Sequence, residues 1–267
     1  MSREKYLKET TEEWTWVHSN GQTLVRNEAF RKYGFEHGFF TKASENKSPK
    51  ELSESVKQGL SIHRVKQIHQ SNIVKASTAN KFPWPKADGL ISDKKLQGLW
   101  IYSADCIPIL FGDPNSGIFA AIHAGWKGIS MGIVYKSINL LKSRGADINN
   151  LRIVMGPAIS GKNYQVGFNV LESIYKSLST DFENVSFTDK KMIDHMINLD
   201  IVQLDNSPKK FLLDIRLAAS HQLCMQGIKG KQISICPYCT FKDKSLFNSW
   251  RREKRKAIQW SWITYSF

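Results

Sequence analysis

The stretch that decides the fold is residues 98–128, GLWIYSADCIPILFGDPNSGIFAAIHAGWKG. Two short apolar runs, 99–102 and 107–111, flank the polar residues 103–106. The sequence at 113–117, Asp-Pro-Asn-Ser-Gly, is a strong turn signal, and a third apolar run follows it. Short apolar runs separated by turn residues are typical of buried strands, so this stretch predicts a hairpin at the centre of a sheet.

The register of this hairpin decides whether Cys106 and His123 can act together. A four-residue loop at 113–116 pairs residue 112 with residue 117, which places Cys106 opposite His123. Directly opposed Cβ atoms lie ~4.5–5.5 Å apart, which suits a Cys–His catalytic pair or two ligands of one metal ion. A five-residue loop would shift the register by one residue and place the two side chains on opposite faces.

A third candidate ligand is His69, which lies on the separate segment Gln67-Ile-His-Gln70. Two imidazoles and one thiolate form a three-ligand zinc site with an open fourth position, as in catalytic zinc sites. The spacing alone leaves His63 as an equal alternative to His69. Asp105, directly before Cys106, is a candidate for acid/base work or for holding a ligand in place.

The rest of the chain predicts alternating strands and helices without repeats or a clear linker. Trp14 and Trp16 indicate an N-terminal strand or arm, and Ser48-Pro49 a helix start. Further expected elements are a strand region at 65–74 that is interrupted at 69–72, strands at 151–155 and 233–235, a loop at 82–85, and helices at 129–142, 169–178 and 210–225. The tail from Lys242 is basic and aromatic. We therefore expect one α/β domain over residues 1–267.

Composition limits the classes of protein to consider. The 267 residues are 41% hydrophobic, and 38 Lys and Arg against 24 Asp and Glu give a formal charge of +14. This excess indicates anionic partners such as phosphate, nucleotides or nucleic acid. No apolar run approaches the ~20 residues that span a bilayer. The charged N-terminus lacks a signal-peptide core, so we expect no membrane partner and a cytoplasmic location.

Two further features have alternative interpretations. Cys236-Pro-Tyr-Cys239 is a single CxxC, which without a second pair favours packing near the core over a zinc site. Residues 242–256 interleave seven basic side chains with Phe247 and Trp250. Such a run can bind single-stranded nucleic acid, form a solvated face, or send an arginine into a pocket to hold phosphate.

The chain resembles the YfiH/YlmD family, also called laccase-domain or multicopper polyphenol oxidoreductase-type proteins. A block like Ser103-Ala-Asp-Cys106 followed by His123-Ala-Gly-Trp-Lys-Gly128 is highly specific for this family. The other matching blocks occur in order along the chain, and they are HGFFT (37–41), QIH (67–69), ADGLIS (87–92), GP (156–157), YQVG (164–167), CT (239–240) and SWRRE (249–253).

The resemblance implies a single-domain α-β-β-α sandwich of mixed sheets flanked by helices. It also implies zinc bound at the positions of His69, Cys106 and His123, and so selects His69 over His63. The implied activity is phosphorolysis of adenosine, inosine or methylthioadenosine, with an accompanying adenosine deaminase activity. Purine nucleoside and phosphate would then be the partners. Lys42, Lys127 and Arg251 are candidates for contacts with phosphate or ribose.

Three alternatives belong to other classes. A laccase-type copper oxidase needs many histidine ligands, and the seven histidines show no HxH pattern. A Cys–His hydrolase, similar to the cytotoxic necrotizing factor deamidases, would use Cys106 as nucleophile and His123 as its base. A nucleic-acid-binding protein would use the basic tail.

Overall fold

The computed structural model describes residues 13–178 and 189–266 of the chain. Its strands, in chain order, are β1 (Trp14–Ser19), β2 (Gln22–Asn27), β3 (Phe35–Phe40), β4 (Ser61–Arg64), β5 (Ile73–Lys75), β6 (Gly89–Ile91), β7 (Gln97–Ser103), β8 (Ile107–Asp113), β9 (Ile118–Ala124), β10 (Arg152–Met155), β11 (Gln165–Gly167), β12 (Val202–Leu204), β13 (Lys210–Leu213), β14 (Ile233–Ile235) and β15 (Gln259–Tyr265). Its α-helices are α1 (Glu28–Lys32), α2 (Pro49–Val56), α3 (Trp126–Ser130), α4 (Ile133–Ser143), α5 (Phe168–Tyr175), α6 (Asp189–Asn198), α7 (Ile215–Met225) and α8 (Trp250–Glu253). None of the helices in these described ranges has the length and apolar character needed to cross a membrane.

Two six-stranded sheets form the centre of the fold. The first has the strand order β1-β2-β3-β15-β7-β4, and the second β14-β10-β8-β9-β6-β5. Both sheets are mixed, because β4 runs parallel to β7, β14 parallel to β10 and β5 parallel to β6, while the remaining neighbours are antiparallel. A small third sheet has the antiparallel order β11-β13-β12.

The two large sheets pack face to face, and helices cover their outer faces. The layer between the sheets contains Phe35 and Leu99 from the first sheet with Leu110 and Val154 from the second. Helices α3 to α7 and the small sheet pack on the outer face of the second sheet and form a large apolar core. On the outer face of the first sheet, Leu52 of α2 packs in a cluster of tryptophans. The resulting α-β-β-α layering confirms the predicted fold class.

Two glycines set how closely the sheets approach each other. A Cβ atom added at Gly112 would lie 2.4 Å from the ring of Phe35, and one added at Gly156 would lie 2.1 Å from the ring of Phe39. The two rings of the first sheet therefore fill the space that side chains of the second sheet would need. Glycine at these two positions therefore allows the two sheets to pack closely against each other.

Several local predictions are confirmed. The strands expected around residues 99–122, 151–155 and 233–235 are β7 to β10 and β14, and the loop at 82–85 is present. Helix α2 begins after Ser48, whose hydroxyl accepts a hydrogen bond from the Glu51 N–H while the Glu51 carboxylate accepts one from the Ser48 N–H. This capping box satisfies two donors at the helix start.

Two predicted helices are wrong in part. The helix expected at 210–225 is strand β13 followed by α7, because the Asp214 carboxylate accepts hydrogen bonds from two N–H groups of the first helical turn and so begins the helix there. The helix expected at 129–142 is divided into α3 and α4 at Gly132, whose φ of +75° is left-handed. Glycine adopts this conformation without a steric penalty.

One further segment differs in part from the prediction, and for another the sequence predicts no element. Residues 65–68 form a loop rather than a strand, whereas the predicted interruption at 69–72 and the extended segment that follows it, β5, are present. The basic, aromatic tail contains β15, which lies between β3 and β7 in the middle of the first sheet. The alternating order Gln-Trp-Ser-Trp at 259–262 is the period-two signal of this strand.

We expect His37 to make the fold less stable as the pH falls from 6.5 to 4. Its imidazole is 1% exposed, accepts a hydrogen bond from the Asn27 N–H and donates one to the Phe35 carbonyl. Burial lowers the pKa of His37 from 6.5 to about 4. The unfolded chain therefore binds a proton that the folded chain excludes. The stabilisation is complete above pH 6.5 and declines by about 3 kcal/mol as the pH falls to 4.

Denaturant unfolding at pH 4, 5 and 6.5 measures this effect in the parent and in His37→Gln. The decline in unfolding free energy should be about 3 kcal/mol smaller in the variant. Equal declines in the two proteins would contradict the assignment, and an NMR titration of the His37 ring checks the pKa directly.

Candidate metal centre

The predicted hairpin is present, but its register is displaced by two residues. Strands β8 and β9 pair antiparallel with Pro108 opposite His123, so the prediction that Cys106 directly faces His123 is wrong. The connecting loop is 114–117 rather than 113–116. Asp113 fixes this loop, because its carboxylate accepts hydrogen bonds from the two residues that follow Pro114.

The displacement leaves Cys106 and His123 on the same face of the hairpin. Continued pairing places Cys106 opposite Gly125, and His123 is its diagonal neighbour two residues away. Because side chains alternate with a period of two, a shift of two residues keeps the predicted juxtaposition while a shift of one would destroy it.

Three donor side chains meet at the open end of this hairpin. The ligand atoms of His69, Cys106 and His123 all lie within 4.8 Å of one another. The ring centroids of His69 and His123 are 4.7 Å apart, and the two rings are arranged edge to face. His63 lies elsewhere, because its ring bonds to Ser61 and to the Ala76 carbonyl. The geometry therefore brings together the set that includes His69.

His69 reaches the cluster from a strained loop. Its φ of +56° is unusual for a residue with a side chain, and such a conformation persists only where its surroundings hold it. The residue that holds this loop is Asp88, which lies just before β6 and is fully buried. Its carboxylate accepts hydrogen bonds from the N–H groups of three successive residues, 68, 69 and 70, at 3.3, 2.9 and 2.7 Å.

Asp88 also orients the second histidine. Nδ1 of His123 donates to Asp88 Oδ1 at 3.0 Å, and the His123 N–H donates to the Asp88 carbonyl at 2.7 Å. A proton fixed on Nδ1 leaves Nε2 available as a ligand, the usual arrangement of a carboxylate behind a metal-binding histidine. In the sequence, Asp88 stands out only as part of the ADGLIS block at 87–92. No local pattern indicates that one carboxylate serves both histidines.

The electrostatics of the cluster favour a thiolate. Burial raises the pKa of Cys106, but the charge of His123 and the hydrogen bonds from both histidines outweigh burial, so that the pKa falls below its ordinary value. Burial lowers the pKa of His123, and the thiolate and Asp88 reverse this effect and raise it. Without a metal ion, these two pKa shifts favour a thiolate on Cys106 and an imidazolium on His123.

The donor set fits zinc. Imidazole nitrogen and thiolate sulfur are the ligands that zinc prefers in proteins, and three of them leave the fourth tetrahedral position for water or substrate. His69 is exposed while His123 is buried, so the cluster is open to solvent on one side. No other group of three or more His, Cys, Asp or Glu side chains within residues 13–178 and 189–266 could hold a metal ion.

Asp105 connects Cys106 to the C-terminal part of the chain. It has a φ of +88° and is 6% exposed. Its carboxylate accepts hydrogen bonds from the hydroxyls of Thr240 and Ser249 at 2.6 and 3.0 Å and from the Arg251 N–H at 2.7 Å. A carboxylate with three such donors is well suited to fix the residue that follows it.

The three cations proposed for phosphate or ribose have different surroundings. Lys42 donates from Nζ to the Lys244 carbonyl at 2.6 Å, and the ammonium of the exposed Lys127 lies 5.7 Å from the ring of its neighbour Trp126. Arg251 is joined through its backbone to Asp105, next to Cys106. Within the described ranges, Arg251 is the only one of the three cations with a hydrogen bond to a residue adjacent to the triad, namely Asp105.

The CxxC cysteines and two arginines of the basic tail have structural roles. Cys236 and Cys239 are buried free thiols, in agreement with packing near the core. In the basic tail, Arg252 donates to three backbone carbonyls and to Glu253, and Arg255 pairs with Glu45. These two arginines are therefore engaged within the protein rather than presented as a row of free cations.

Replacing Gly125 with alanine is expected to disrupt the centre. The backbone of Gly125 (φ −81°, ψ 171°) accommodates any residue, but a Cβ atom would lie 2.7 Å from the Cys106 sulfur. The sulfur must move, so we expect zinc affinity to fall at least about tenfold. Gly167→Ala is the matched control, because Gly167 also precedes a helix with nearly the same backbone angles and has open space around it. Chelator competition measures both, and equal zinc affinities would contradict the prediction.

The fold and the site together define a class of protein. Its members are two-sheet α/β sandwiches with a His–Cys–His cluster at the open end of a central hairpin. The model of the family described as multi-copper polyphenol oxidoreductase laccase matches residues 42–265, and the chain belongs to this family.

Relatives and solved structures agree with this assignment. A protein of Synechocystis named as a purine nucleoside phosphorylase is 35% identical over 259 residues, which cover 94% of this chain and 96% of that protein. A purine nucleoside phosphorylase of Corynebacterium glutamicum is 30% identical, with 73% and 72% covered. The crystal structure of YlmD from Geobacillus stearothermophilus has a TM-score of 0.77 at 22% identity and covers 94% of this chain and 99% of that one. This last likeness concerns the fold.

Proposed function

We propose that this protein is a zinc-dependent purine nucleoside phosphorylase whose metal ligands are His69, Cys106 and His123. The observation that carries the proposal is the convergence of two imidazoles and one thiolate, in a chain with a relative of 35% identity that is named for this activity. The proposed substrates are adenosine, inosine and methylthioadenosine with inorganic phosphate, and adenosine deamination is a second proposed activity. The proposed compartment is the cytoplasm, which suits four free cysteines.

The reaction needs an activated centre and a place for phosphate. A phosphate oxygen forms a bond to C1′ of the ribose while the bond from C1′ to N9 breaks, and the electron pair leaves with the purine, which takes up a proton. Bound zinc would polarise a substrate atom or lower the pKa of a bound water from 15.7 towards ~7.

The chain's own residues prepare this centre. The Asp88 carboxylate accepts hydrogen bonds from Nδ1 of His123 and from the backbone N–H of His69. Both imidazoles are therefore positioned before substrate binds. The carboxylate of Asp105 is taken by three donors, which favours a positioning role for it over proton transfer. Lys42, Lys127 and Arg251 are the proposed contacts for phosphate or ribose.

Product analysis tests the proposal. The zinc-loaded protein is incubated with adenosine, inosine or methylthioadenosine, with and without phosphate, and the products are separated by chromatography. Free purine and ribose 1-phosphate, formed only when phosphate is present, are the expected result. Free ribose would instead show hydrolysis, and conversion of adenosine to inosine would show deamination. Intact nucleosides with a zinc-loaded, folded protein would overturn the proposal.

One observation favours a second candidate. The metal-free Cys106–His123 pair has the charge distribution of a nucleophile and its base, as in a Cys–His hydrolase. The copper oxidase reading, with copper as the alternative metal, is less well supported. Within residues 13–178 and 189–266, only one three-residue group could bind metal, and His37 and His63 are held by hydrogen bonds to the backbone. Oxidation of a phenol by the copper-loaded protein would support the oxidase.

A further inference from the structure

Tyr164 lies beside the metal centre, and the proposed function does not yet use it. It follows a short 3-10 turn, Gly161–Asn163, and precedes β11. Its backbone is fixed at both groups, because its N–H donates to the Gly161 carbonyl and its carbonyl accepts from the Leu213 N–H. The side chain is half-buried, and within residues 13–178 and 189–266 its hydroxyl has no hydrogen-bond partner.

Arg251 covers the ring of this tyrosine. The guanidinium carbon lies 4.7 Å from the centroid of the Tyr164 ring, within the range of a cation–π contact. One nitrogen of the guanidinium donates to the Gln165 carbonyl at 2.6 Å, which fixes the direction of the group. Arginine carries five N–H donors, so the remaining donors of Arg251 stay available, and none has a partner in the described ranges.

The same arginine connects both groups to Asp105, the residue that precedes Cys106. The backbone N–H of Arg251 donates to Asp105, and the Asp105 carbonyl accepts from the Ile159 N–H at the start of the segment that leads to Tyr164. The phenol hydroxyl and the guanidinium are therefore two sets of donors within one small region beside the triad. A set of N–H and O–H donors of this kind is complementary to an anion with several oxygens.

The charges in this region suit an anion. Burial and the negative charges of Cys106 and Asp105 raise the pKa of Tyr164, so its phenol remains a protonated donor at neutral pH. The Asp105 carboxylate is occupied by its three donors. Divalent zinc with two neutral imidazoles and one thiolate carries a net charge of +1, which attracts phosphate.

We propose that the Tyr164 hydroxyl and the Arg251 guanidinium form the subsite that binds inorganic phosphate beside the metal centre. This assignment rests on the proposed phosphorolysis and deepens it, because it makes Tyr164 a substrate-contacting residue. Because a hydrogen bond to a charged group is lost, removal of the hydroxyl alone should weaken phosphate binding about tenfold.

Calorimetric titration of inorganic phosphate into the zinc-loaded protein, with no nucleoside present, tests the subsite. Tyr164→Phe keeps the ring under Arg251 and removes only the hydroxyl, and Arg251→Lys keeps the charge and removes the fork. Tyr33→Phe is the matched control, because Arg152 covers the Tyr33 ring at a similar 4.6 Å. We expect about tenfold weaker binding in the first two variants and unchanged binding in the control.

Two results would overturn the subsite: no phosphate binding by the parent, or parental affinity in a folded Tyr164→Phe. Circular dichroism and thermal unfolding check that each variant is folded. In turnover assays, Tyr164→Phe should raise the KM for phosphate about tenfold and leave the KM for inosine unchanged. Phosphate binding in the expected pattern without nucleoside cleavage would keep the subsite and reject the phosphorylase.

Discussion

Cys106→Ala is expected to lose the single zinc ion of the parent and at least about 1000-fold in kcat/KM for nucleoside phosphorolysis. Cys106 supplies the only thiolate of the triad, and two imidazoles alone leave the metal with two protein ligands. A 1000-fold loss corresponds to ~4 kcal/mol of transition-state stabilisation, the scale expected when a metal centre disappears. Elemental analysis gives the zinc content, and chromatographic product analysis gives the rate.

Cys224→Ala is the matched control for this variant. Cys224 is also a partly buried free cysteine, but it lies on α7 and burial raises its pKa, so it is an inert thiol. We expect it to retain zinc and activity. A well-folded parent without zinc would overturn the zinc mechanism, and the Cys106–His123 pair would then be tested as nucleophile and base with thiol-reactive reagents.

Asp88→Asn is expected to cost about 3 kcal/mol of folding stability and to weaken zinc binding about 10- to 100-fold. Each oxygen of the carboxylate accepts two hydrogen bonds, one from His69 N–H and His123 Nδ1 and the other from the N–H groups of Ile68 and Gln70. Asparagine replaces one of the oxygens with an NH₂ group. Two of the four donors would then face an NH₂ group in a fully buried position, and the remaining amide oxygen, without the negative charge, would hold its two donors less strongly.

Asp93→Asn separates the loss of stability from the loss of the metal site. The Asp93 carboxylate also accepts hydrogen bonds from a backbone N–H and from side chains, but its partners are Ser77 and Gln97. We expect this control to unfold more easily and to bind zinc with parental affinity. Denaturant unfolding and chelator competition measure the two effects. Parental zinc affinity in a folded Asp88→Asn would show that Asp88 does not position the histidines.

The sequence predicts the parts of the site that depend on local pattern. Cys106 and His123 follow from two apolar runs and a turn, and their common face follows from the period of a strand even though the pairing is displaced by two residues. His69 could be chosen over His63 only through the family resemblance. The α-β-β-α sandwich likewise came from the resemblance, because periodicity does not specify strand order.

Long-range contacts set the limit of this prediction. The Asp88 carboxylate accepts hydrogen bonds from residues 18 to 35 positions away, and the Asp105 carboxylate from residues 135 to 146 positions away, so neither role is visible in a local window. The same reason applies to β15, whose place in the sheet depends on neighbours far along the chain. Tyr164 belongs to the YQVG block at 164–167, but only its contact with Arg251 indicates a role in binding phosphate.

The anchoring of Asp105 has a consequence for the order of events during synthesis. Its three partners, Thr240, Ser249 and Arg251, leave the ribosome more than a hundred residues after Cys106. Strand β15, which closes the first sheet between β3 and β7, is made later still. The nascent chain therefore contains Cys106 and both histidines well before the residues that hold Asp105 have been made. The support for the residue next to Cys106 therefore forms only after the chain has been made past Arg251.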